Sequence, residues 1–155
     1  MRLTRAGEYA IRCVLYLAMH RDRPMIGRKE IAEAMEVPAQ FLGKVAQHLA
    51  RAGIIAIRQG SQGGYELARR PEDIPLLSVV EAIDGEIYLN DCIHRPDSCD
   101  RQTFCSVHHV WERARRQLRE TLAGTSLAEL ADMEMHSCGG AAGQPGKTAD
   151  RIREM

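Results

Sequence analysis

The sequence lacks the long apolar segments that would place it in a membrane. Its 155 residues contain no apolar run of about eighteen, which is roughly what a membrane-spanning helix requires. The first residues, Met-Arg-Leu-Thr-Arg, also lack the basic, apolar and small-residue segments of a secretory signal peptide. We therefore expect a cytoplasmic protein with no membrane partner.

Cysteine is scarce, with five residues in the chain. A chain of this length can bury a sufficient core without disulfides, and cytosolic thiols stay reduced. The odd number also argues against a disulfide framework. Cys92, Cys99 and Cys105 nevertheless lie within fourteen residues, so we expect this group to bind a metal or to be redox-active.

The chain also lacks net charge, because 21 Lys and Arg residues balance 21 Asp and Glu residues. Taken alone, this balance argues against a nucleic-acid partner. The charges are unevenly placed, however: residues 1–70 carry twelve basic and six acidic side chains, and residues 71–155 carry nine and fifteen. This division predicts a basic N-terminal module that meets polyanions, although scattered solvated charge is the alternative.

Signals of catalysis are missing as well. The spacing of the polar residues supports no nucleophile paired with a base, no phosphate-binding loop and no pair of catalytic acids. We therefore do not expect an enzyme.

The N-terminal module, residues 1–70, is predicted to contain three helices. Thr4 can cap the first, which continues to about Ala18 with apolar residues on several sides. The second covers residues 27–35 and the third residues 39–52. Two short helices joined by a tight turn are typical of a helix-turn-helix, whose second helix enters the major groove of DNA.

The third helix carries a long-armed, mildly basic stripe beside its apolar one. The stripe comprises Gln40, Lys44, Gln47 and Arg51. We predict that these side chains contact DNA, with Arg28 of the second helix adding a phosphate contact. Any exposed helix has a polar face, so the stripe alone is weak evidence.

A β-hairpin is predicted directly after the third helix. Residues 54–58 and 65–68 have the pattern of strands, and the glycine-rich residues 59–64 form the turn. In this position a hairpin is the wing of a winged helix, whose tip can approach phosphates or the minor groove. The predicted contacts are Arg58, Gln59, Gly60 and Ser61. An ordinary hairpin whose glycines serve only the turn is the alternative.

The second region, residues 71–135, is predicted to hold a linker helix at 71–85, a cysteine-containing loop and a long helix capped by Ser106. Apolar residues recur along the long helix at Val107, Val110, Trp111, Ala114, Leu118 and Leu122. Its outward-facing residues are predicted to be Arg113, Arg115, Arg116, Arg119 and Glu120. A second copy of the chain is the expected cover for the apolar stripe, giving a symmetric dimer, and packing onto its own domain is the alternative.

The last segments of the chain are predicted to be a short helix and a tail. Ser126 and Glu129 have the spacing of a capping box that begins the helix. The composition of residues 136–155 predicts a disordered tail.

The cysteine spacing bears on the kind of ligand. Structural zinc sites generally use ligands two to four residues apart, whereas the gaps here are six and five residues. Iron–sulfur clusters are held by thiolates on irregular loops, where wider gaps are tolerated. Cys105 precedes the long helix, whose free N–H groups favour a thiolate. Candidate fourth ligands are His94, His108, His109, Asp91, Asp97 and Asp100; reactive thiols without a cofactor are the alternative.

Several motifs together resemble a known family over about residues 1–135. They are Met1-Arg-Leu-Thr4, Gly7-Glu-Tyr-Ala10, Gly60-Ser-Gln-Gly-Gly-Tyr65, and Cys92, Cys99 and Cys105 before a helix that begins near His108. Their order is similar to that in the Rrf family of winged-helix, IscR/NsrR-type iron–sulfur regulators.

The resemblance implies a mainly helical winged helix-turn-helix with a long dimerisation helix. It implies a homodimer on an imperfect DNA palindrome and a 2Fe-2S or 4Fe-4S cluster on the three cysteines. It also implies a fourth ligand at His108 or, as in some relatives, at Glu8. We therefore expect a transcriptional repressor that senses iron–sulfur supply, oxidants or nitric oxide.

Two alternatives stay open. One is a cluster-free winged-helix regulator controlled by thiol oxidation or by a partner protein. The other is an adaptor that uses its winged helix to bind protein and not DNA.

Overall fold

The fold is a helical assembly with one β-hairpin, seen in a computed structural model that describes residues 3–101 and 104–139. The helices are α1 (Arg5–Met19), α2 (Arg28–Ala34), α3 (Ala39–Arg51), α4 (Leu76–Asp84), α5 (Asp91–His94), α6 (Ser106–Ala123) and α7 (Leu127–Gly139). Strands β1 (Ile55–Arg58) and β2 (Gly64–Leu67) pair antiparallel, and short 3₁₀ turns lie at Pro71–Asp73 and Pro96–Ser98. The predicted helical fold with a hairpin wing is confirmed. Among the described helices, none is long and apolar enough to span a bilayer.

Helix α1 lies at the centre of the core. Thr4 caps it as predicted, because its hydroxyl accepts a hydrogen bond from the Gly7 N–H at 3.1 Å. The helix packs against α3, α4 and α7. The thiol of Cys13 lies within this core, and burial raises its pKa to about 12. Cys13 therefore acts as an apolar packing residue.

The turn between α2 and α3 sets the angle between these two helices. Glu36 adopts a left-handed conformation there, with φ of 52°, which is uncommon for a residue with a side chain. The buried Val37 follows, and its N–H donates to the Ala32 carbonyl at 2.9 Å. From α1, the Arg12 guanidinium donates to the Met35 carbonyl at 3.2 Å. The end of α2 is thus fixed both to the core and to α1.

The wing is attached to the segment that precedes α2. Ile26 and Tyr65 exchange two backbone hydrogen bonds, at 3.0 and 2.9 Å. At Gly64 the backbones approach so closely that an added Cβ would lie 2.3 Å from the Ile26 carbonyl oxygen. Only glycine fits at this position, and the base of the wing is consequently held against the helix-turn-helix.

The linker differs from the single helix predicted at 71–85. It consists of the 3₁₀ turn Pro71–Asp73 followed by α4, with Ile74 in an extended conformation between them. The cause is Pro75, because a proline disfavours helical geometry in the residue before it.

Three further predictions in the second region need correction. The cysteine loop contains α5 and the 3₁₀ turn Pro96–Ser98, so it is partly regular. The N-cap of α6 is Cys105, and Ser106 is the first helical residue. Helix α7 extends to Gly139, so residues 136–139 of the predicted tail are helical, and the rest of that tail lies outside the described residues.

The outward orientation predicted for all the arginines of α6 is wrong for two of them. Arg115 donates through Nε to the Ile87 carbonyl at 2.7 Å, and Arg119 forms an ion pair with Glu81 of α4. Both turn inward because α4 and the residues after it lie beside α6 and offer acceptors. The N-terminal half of the apolar stripe of α6 is exposed, with Val107 51% and Val110 50% exposed, whereas Ala114, Leu118 and Leu122 are partly buried.

Candidate functional site

A concave surface of about 710 Å³ lies between α2, α3 and the wing, and we call it the recognition surface. Seven of the nine predicted DNA contacts line it: Arg28, Gln40, Lys44, Gln47, Arg58, Gln59 and Gly60. Arg51 and Ser61 are exposed but do not belong to this lining. The fold therefore brings together side chains from three separate sequence segments.

The recognition surface is positively charged. Its charged lining residues are Arg28, Lys29, Lys44 and Arg58, and all of its lining lies within the described part of the chain, where it includes no carboxylate. A concave surface lined by one sign of charge concentrates ligands of the opposite sign. The surface is thus suited to a polyanion.

Six lining residues were not among the predicted contacts: Lys29, Gly43, Ile57, Gly63, Gly64 and Tyr65. Lys29 is exposed and contacts Glu33 across 3.8 Å at helical spacing. Gly43 lies on α3 beneath Arg28, where an added Cβ would be 3.4 Å from Arg28 Nη1. The basic pair at the start of α2 was a usable signal for Lys29. No residue pattern could have revealed the contact between Arg28 and Gly43.

The second predicted site, the cysteine segment, is spread over residues 91–108. Cys92 lies in α5 and is partly buried, Cys99 follows the 3₁₀ turn and is exposed, and Cys105 is the partly buried N-cap of α6. Across residues 3–101 and 104–139, no three His, Cys, Asp or Glu side chains come together in a group able to hold a metal ion. The predicted ligands are close in sequence but are not gathered into a finished site.

Among the predicted fourth ligands, His108 has a buried ring nitrogen without a partner in the described part of the chain. Its backbone N–H donates to the Cys105 carbonyl at 3.1 Å, so the two residues lie within one turn at the start of α6. Its ring Nδ1 is buried and has no hydrogen-bond partner among the described residues. A buried polar atom of this kind normally has a partner. Three accessible thiols and an unpartnered imidazole nitrogen fit the donor set of an iron–sulfur cluster.

The alternative ligand, Glu8, lies on a different element. It is exposed in the first turn of α1, beside a cleft of about 450 Å³ lined by Leu3, Thr4, Arg5 and Glu8. Of the other candidates, His94 stacks on Tyr88 with ring centroids 4.5 Å apart, which orients its ring without occupying the ring nitrogens.

Comparison of the sequence with known proteins identifies its family. Residues 3–133 match the family described as "Rrf2: Iron-dependent Transcriptional regulator". The chain belongs to the Rrf2 family. This Rrf2-family protein is 30% identical over 130 residues to the HTH-type transcriptional regulator IscR of Aliivibrio salmonicida, covering 84% of this chain and 77% of that one.

Solved structures agree on the fold of this Rrf2-family protein. IscR of T. potens superposes with a TM-score of 0.70 at 24% identity, covering 94% of each chain. CymR, titled the global cysteine regulator of B. subtilis, gives 0.71 at 23% identity, covering 86% of this chain and 98% of that one. The predicted family and winged-helix fold are confirmed. The protein is a transcriptional regulator, and such regulators are not enzymes.

Proposed function

We propose that this Rrf2-family regulator acts in the cytoplasm as a homodimeric repressor that binds an imperfect palindrome in double-stranded DNA. We further propose that it senses iron–sulfur supply, oxidants or nitric oxide through a cluster on Cys92, Cys99 and Cys105. The observation that carries the proposal is the recognition surface, in which basic and amide side chains of α2, α3 and the wing converge.

The geometry of this surface supports reading of DNA by α3. Gln40, Lys44 and Gln47 lie on one exposed face of that helix, and amide side chains can form paired hydrogen bonds with adenine in the major groove. Arg28 and Arg58 flank the helix from α2 and the wing and are placed to contact phosphates. Gly60, at the wing tip, has φ of 107°, a conformation that glycine adopts at little cost.

A second copy of the chain is the proposed cover for α6. The exposed stripe of Val107, Val110 and Trp111 is apolar, and a stripe spaced three or four residues apart is suited to packing against its own copy about a two-fold axis. Such an axis presents two recognition surfaces to two half-sites, which explains the expected palindrome.

The cluster would be held by Cys92, Cys99 and Cys105, with His108 as the preferred fourth ligand and Glu8 as the alternative. When bound, the cluster supplies a redox-active, oxidant-sensitive charge at the N-terminal end of α6. There the free N–H groups at the start of the helix lie next to the N-cap residue Cys105 and would stabilise the negative charge of a bound cluster. A coupling free energy of about 1–3 kcal/mol between cluster and DNA would change affinity roughly 5- to 150-fold.

A cluster-free regulator controlled by thiol oxidation or by a partner protein is the second candidate. It is favoured by the dispersed cysteines, which form no metal-holding group within the described ranges. The fold shared with CymR is compatible with either candidate.

DNA binding is tested by selecting a duplex from a random-sequence pool with the wild-type protein. The affinity for that duplex should fall steeply with salt, because cations released from phosphates drive binding. Lys44→Gln should reduce the slope of log affinity against log salt by roughly 0.9. Lys29→Gln removes one positive charge from the edge of the same surface, and its salt dependence is compared with that of Lys44→Gln. Selection of no duplex, or binding insensitive to salt, would favour the protein-binding adaptor.

The cluster is tested by anaerobic purification followed by visible absorbance and iron analysis. We expect a coloured protein that loses its iron in the Cys99→Ser variant and keeps it in Cys13→Ala, whose thiol lies in the core. A colourless, iron-free wild type would exclude the cluster and leave the winged helix intact. His108→Ala and Glu8→Gln, compared in the same way, identify the fourth ligand.

A further inference from the structure

Asp84, the last residue of α4, contacts the beginning of α1. Its carboxylate accepts hydrogen bonds from the Thr4 backbone N–H at 3.2 Å and from the Thr4 hydroxyl at 2.5 Å. The same hydroxyl accepts from the Gly7 N–H, so Asp84 extends the N-cap of α1. These hydrogen bonds join residues that are 80 positions apart in sequence.

Gly7 leaves the space that this contact needs. A Cβ added at Gly7 would lie 2.7 Å from Asp84 Oδ2 and 2.9 Å from a methyl carbon of Leu3. Any larger residue would have to displace the carboxylate. The contact thus depends on three residues, Thr4, Gly7 and Asp84, which lie on two elements.

After Asp84, the chain continues into the cysteine segment. The buried Ile87 follows, and its N–H donates to Glu81 Oε1 at 3.3 Å while its carbonyl accepts from Arg115 of α6 at 2.7 Å. Cys92 lies in α5, which begins four residues after Ile87. Ile87 thus joins the end of α4 to α6 through hydrogen bonds and to α5 through a short length of chain.

Helix α1 connects the contact at Asp84 with the helices of the recognition surface. Arg12 of α1 donates to the Met35 carbonyl at the end of α2, and α1 packs along α3. A change in the position of the start of α1 relative to α4 would consequently shift both helices of the helix-turn-helix.

We propose that the contact between Thr4 and Asp84 is the link through which the state of Cys92, Cys99 and Cys105 changes the placement of the recognition surface. This inference rests on the proposed function, namely that DNA affinity depends on the state of those cysteines. Asp84 is a positioning residue, since it touches neither the cysteines nor the recognition surface. The fourth ligand in this inference is His108, and not Glu8, because a cluster held by Glu8 would act on α1 without the contact between Thr4 and Asp84.

The test compares two states of each variant on one probe. The probe is the duplex selected by the wild-type protein, and the states are the metal-free protein and the protein reconstituted with iron and sulfide. In the wild type we expect the two affinities to differ roughly 5- to 150-fold. In Thr4→Val and Asp84→Ala this ratio should fall to within about twofold of one. Thr4→Ser, which retains the hydroxyl, should keep the wild-type ratio.

Asp132→Asn is the matched control, because it removes an exposed carboxylate from α7. It should keep the wild-type ratio. Thermal unfolding monitored by circular dichroism identifies the variants that fold. Because each ratio is taken within one variant, a uniform loss of stability or of affinity leaves it unchanged.

Amide hydrogen exchange gives a second readout that needs no DNA. The Glu8 N–H donates to the Thr4 carbonyl at 3.0 Å and reports on the first turn of α1. Reconstitution should change exchange in residues 5–12 of the wild type and of Thr4→Ser, and should leave it unchanged in Thr4→Val. Folded link variants with the wild-type ratio and the wild-type exchange change would overturn the link. Equal affinities for both states of the wild type would instead overturn the proposed sensing function, and the link with it.

Discussion

The N-terminal module and helix α6 differ in how far their apolar side chains are buried. In the module, Ile31, Leu42 and Leu49 are fully buried by neighbouring helices of the same chain. In α6, all of which is described, no residue is buried, and Val107 and Val110 are half exposed. The module is therefore a structure that one chain can complete, whereas the N-terminal half of α6 keeps an exposed apolar face in the single chain.

The largest loss of stability is expected from a cavity in the core of the module. Leu49→Ala should lower the free energy of unfolding by about 2–5 kcal/mol, because the side chain is fully buried on α3 and its neighbours relax only partly around the space. Val107→Ala in dilute protein should cost under about 0.5 kcal/mol. Urea denaturation measures both, and equal losses would contradict the contrast between the two regions.

A charge on the apolar stripe of α6 should have the next largest effect. Val110→Asp should raise the dissociation constant of the proposed dimer at least about tenfold, or roughly 1.4 kcal/mol, because the carboxylate would be desolvated at the proposed interface. Sedimentation analysis measures the constant. Arg116→Asp, an exposed position on the opposite face of α6, is the control and should leave the dimer intact. Unchanged association in both variants would place the interface elsewhere.

The capping box that begins α7 also tests the difference between the two regions, because α7 packs against α1 of the module. The Glu129 N–H donates to Ser126 Oγ at 3.2 Å, and the Ser126 N–H donates to Glu129 Oε2 at 2.8 Å, as predicted. Ser126→Ala should therefore destabilise the protein by about 1 kcal/mol. Ser106→Ala, at the start of α6, is the control with little expected effect, since Cys105 holds the N-cap position. Thermal unfolding measures both, and a larger loss at Ser106 would reverse the capping assignment.

A smaller, pH-dependent effect is expected in the module. Hydrogen bonds from Arg23 and Tyr16 hold the pKa of Glu30 at about 2, below its ordinary value of 4.5. The lowered pKa stabilises the folded state above about pH 4.5, and this contribution is lost as the pH falls towards 2. Acid unfolding of Glu30→Gln should consequently be less steep over that window. Glu33→Gln, in a largely exposed pair with Lys29, should unfold like the wild type.

The smallest effect is expected in the cysteine segment. Cys99→Ser in the metal-free protein should change the free energy of unfolding by under about 0.5 kcal/mol, because the thiol is exposed. The same substitution at the buried Cys13 should cost about 1–3 kcal/mol, since it buries a hydroxyl in an apolar core. Equal costs would show that Cys99 packs more tightly than its exposure indicates.

The order of elements was predictable because local signals mark it. Thr4 as a cap, the α3 stripe and the glycine-rich turn each follow from spacing within a few residues, and within the N-terminal module the helix and strand boundaries agree within about two residues. The break at Pro75 was also signalled, since proline restricts the residue before it. Treating 71–85 as one helix gave too much weight to its apolar pattern.

The long-range contacts were not predictable from spacing. The inward turn of Arg115 and Arg119 depends on acceptors that α4 and Ile87 place beside α6. The contact of Thr4 with Asp84 depends on how two distant elements pack, and a single sequence carries no pattern for it. The same holds for the cysteines, whose spacing suggested a site that their positions in the described structure have not assembled.

The two backbone hydrogen bonds between Ile26 and Tyr65 have a consequence for how the sequence of the wing can change during evolution. Because the base of the wing is fixed by those bonds and by the lack of space at Gly64, residues 59, 61 and 62 at the tip can be exchanged without disturbing the helices, whereas Gly60 is needed for its φ of 107°. In the proposed function, substitutions at these three positions are expected to change the preference for DNA at little cost to folding. A fixed base and a replaceable tip make the wing the readily evolvable part of this protein.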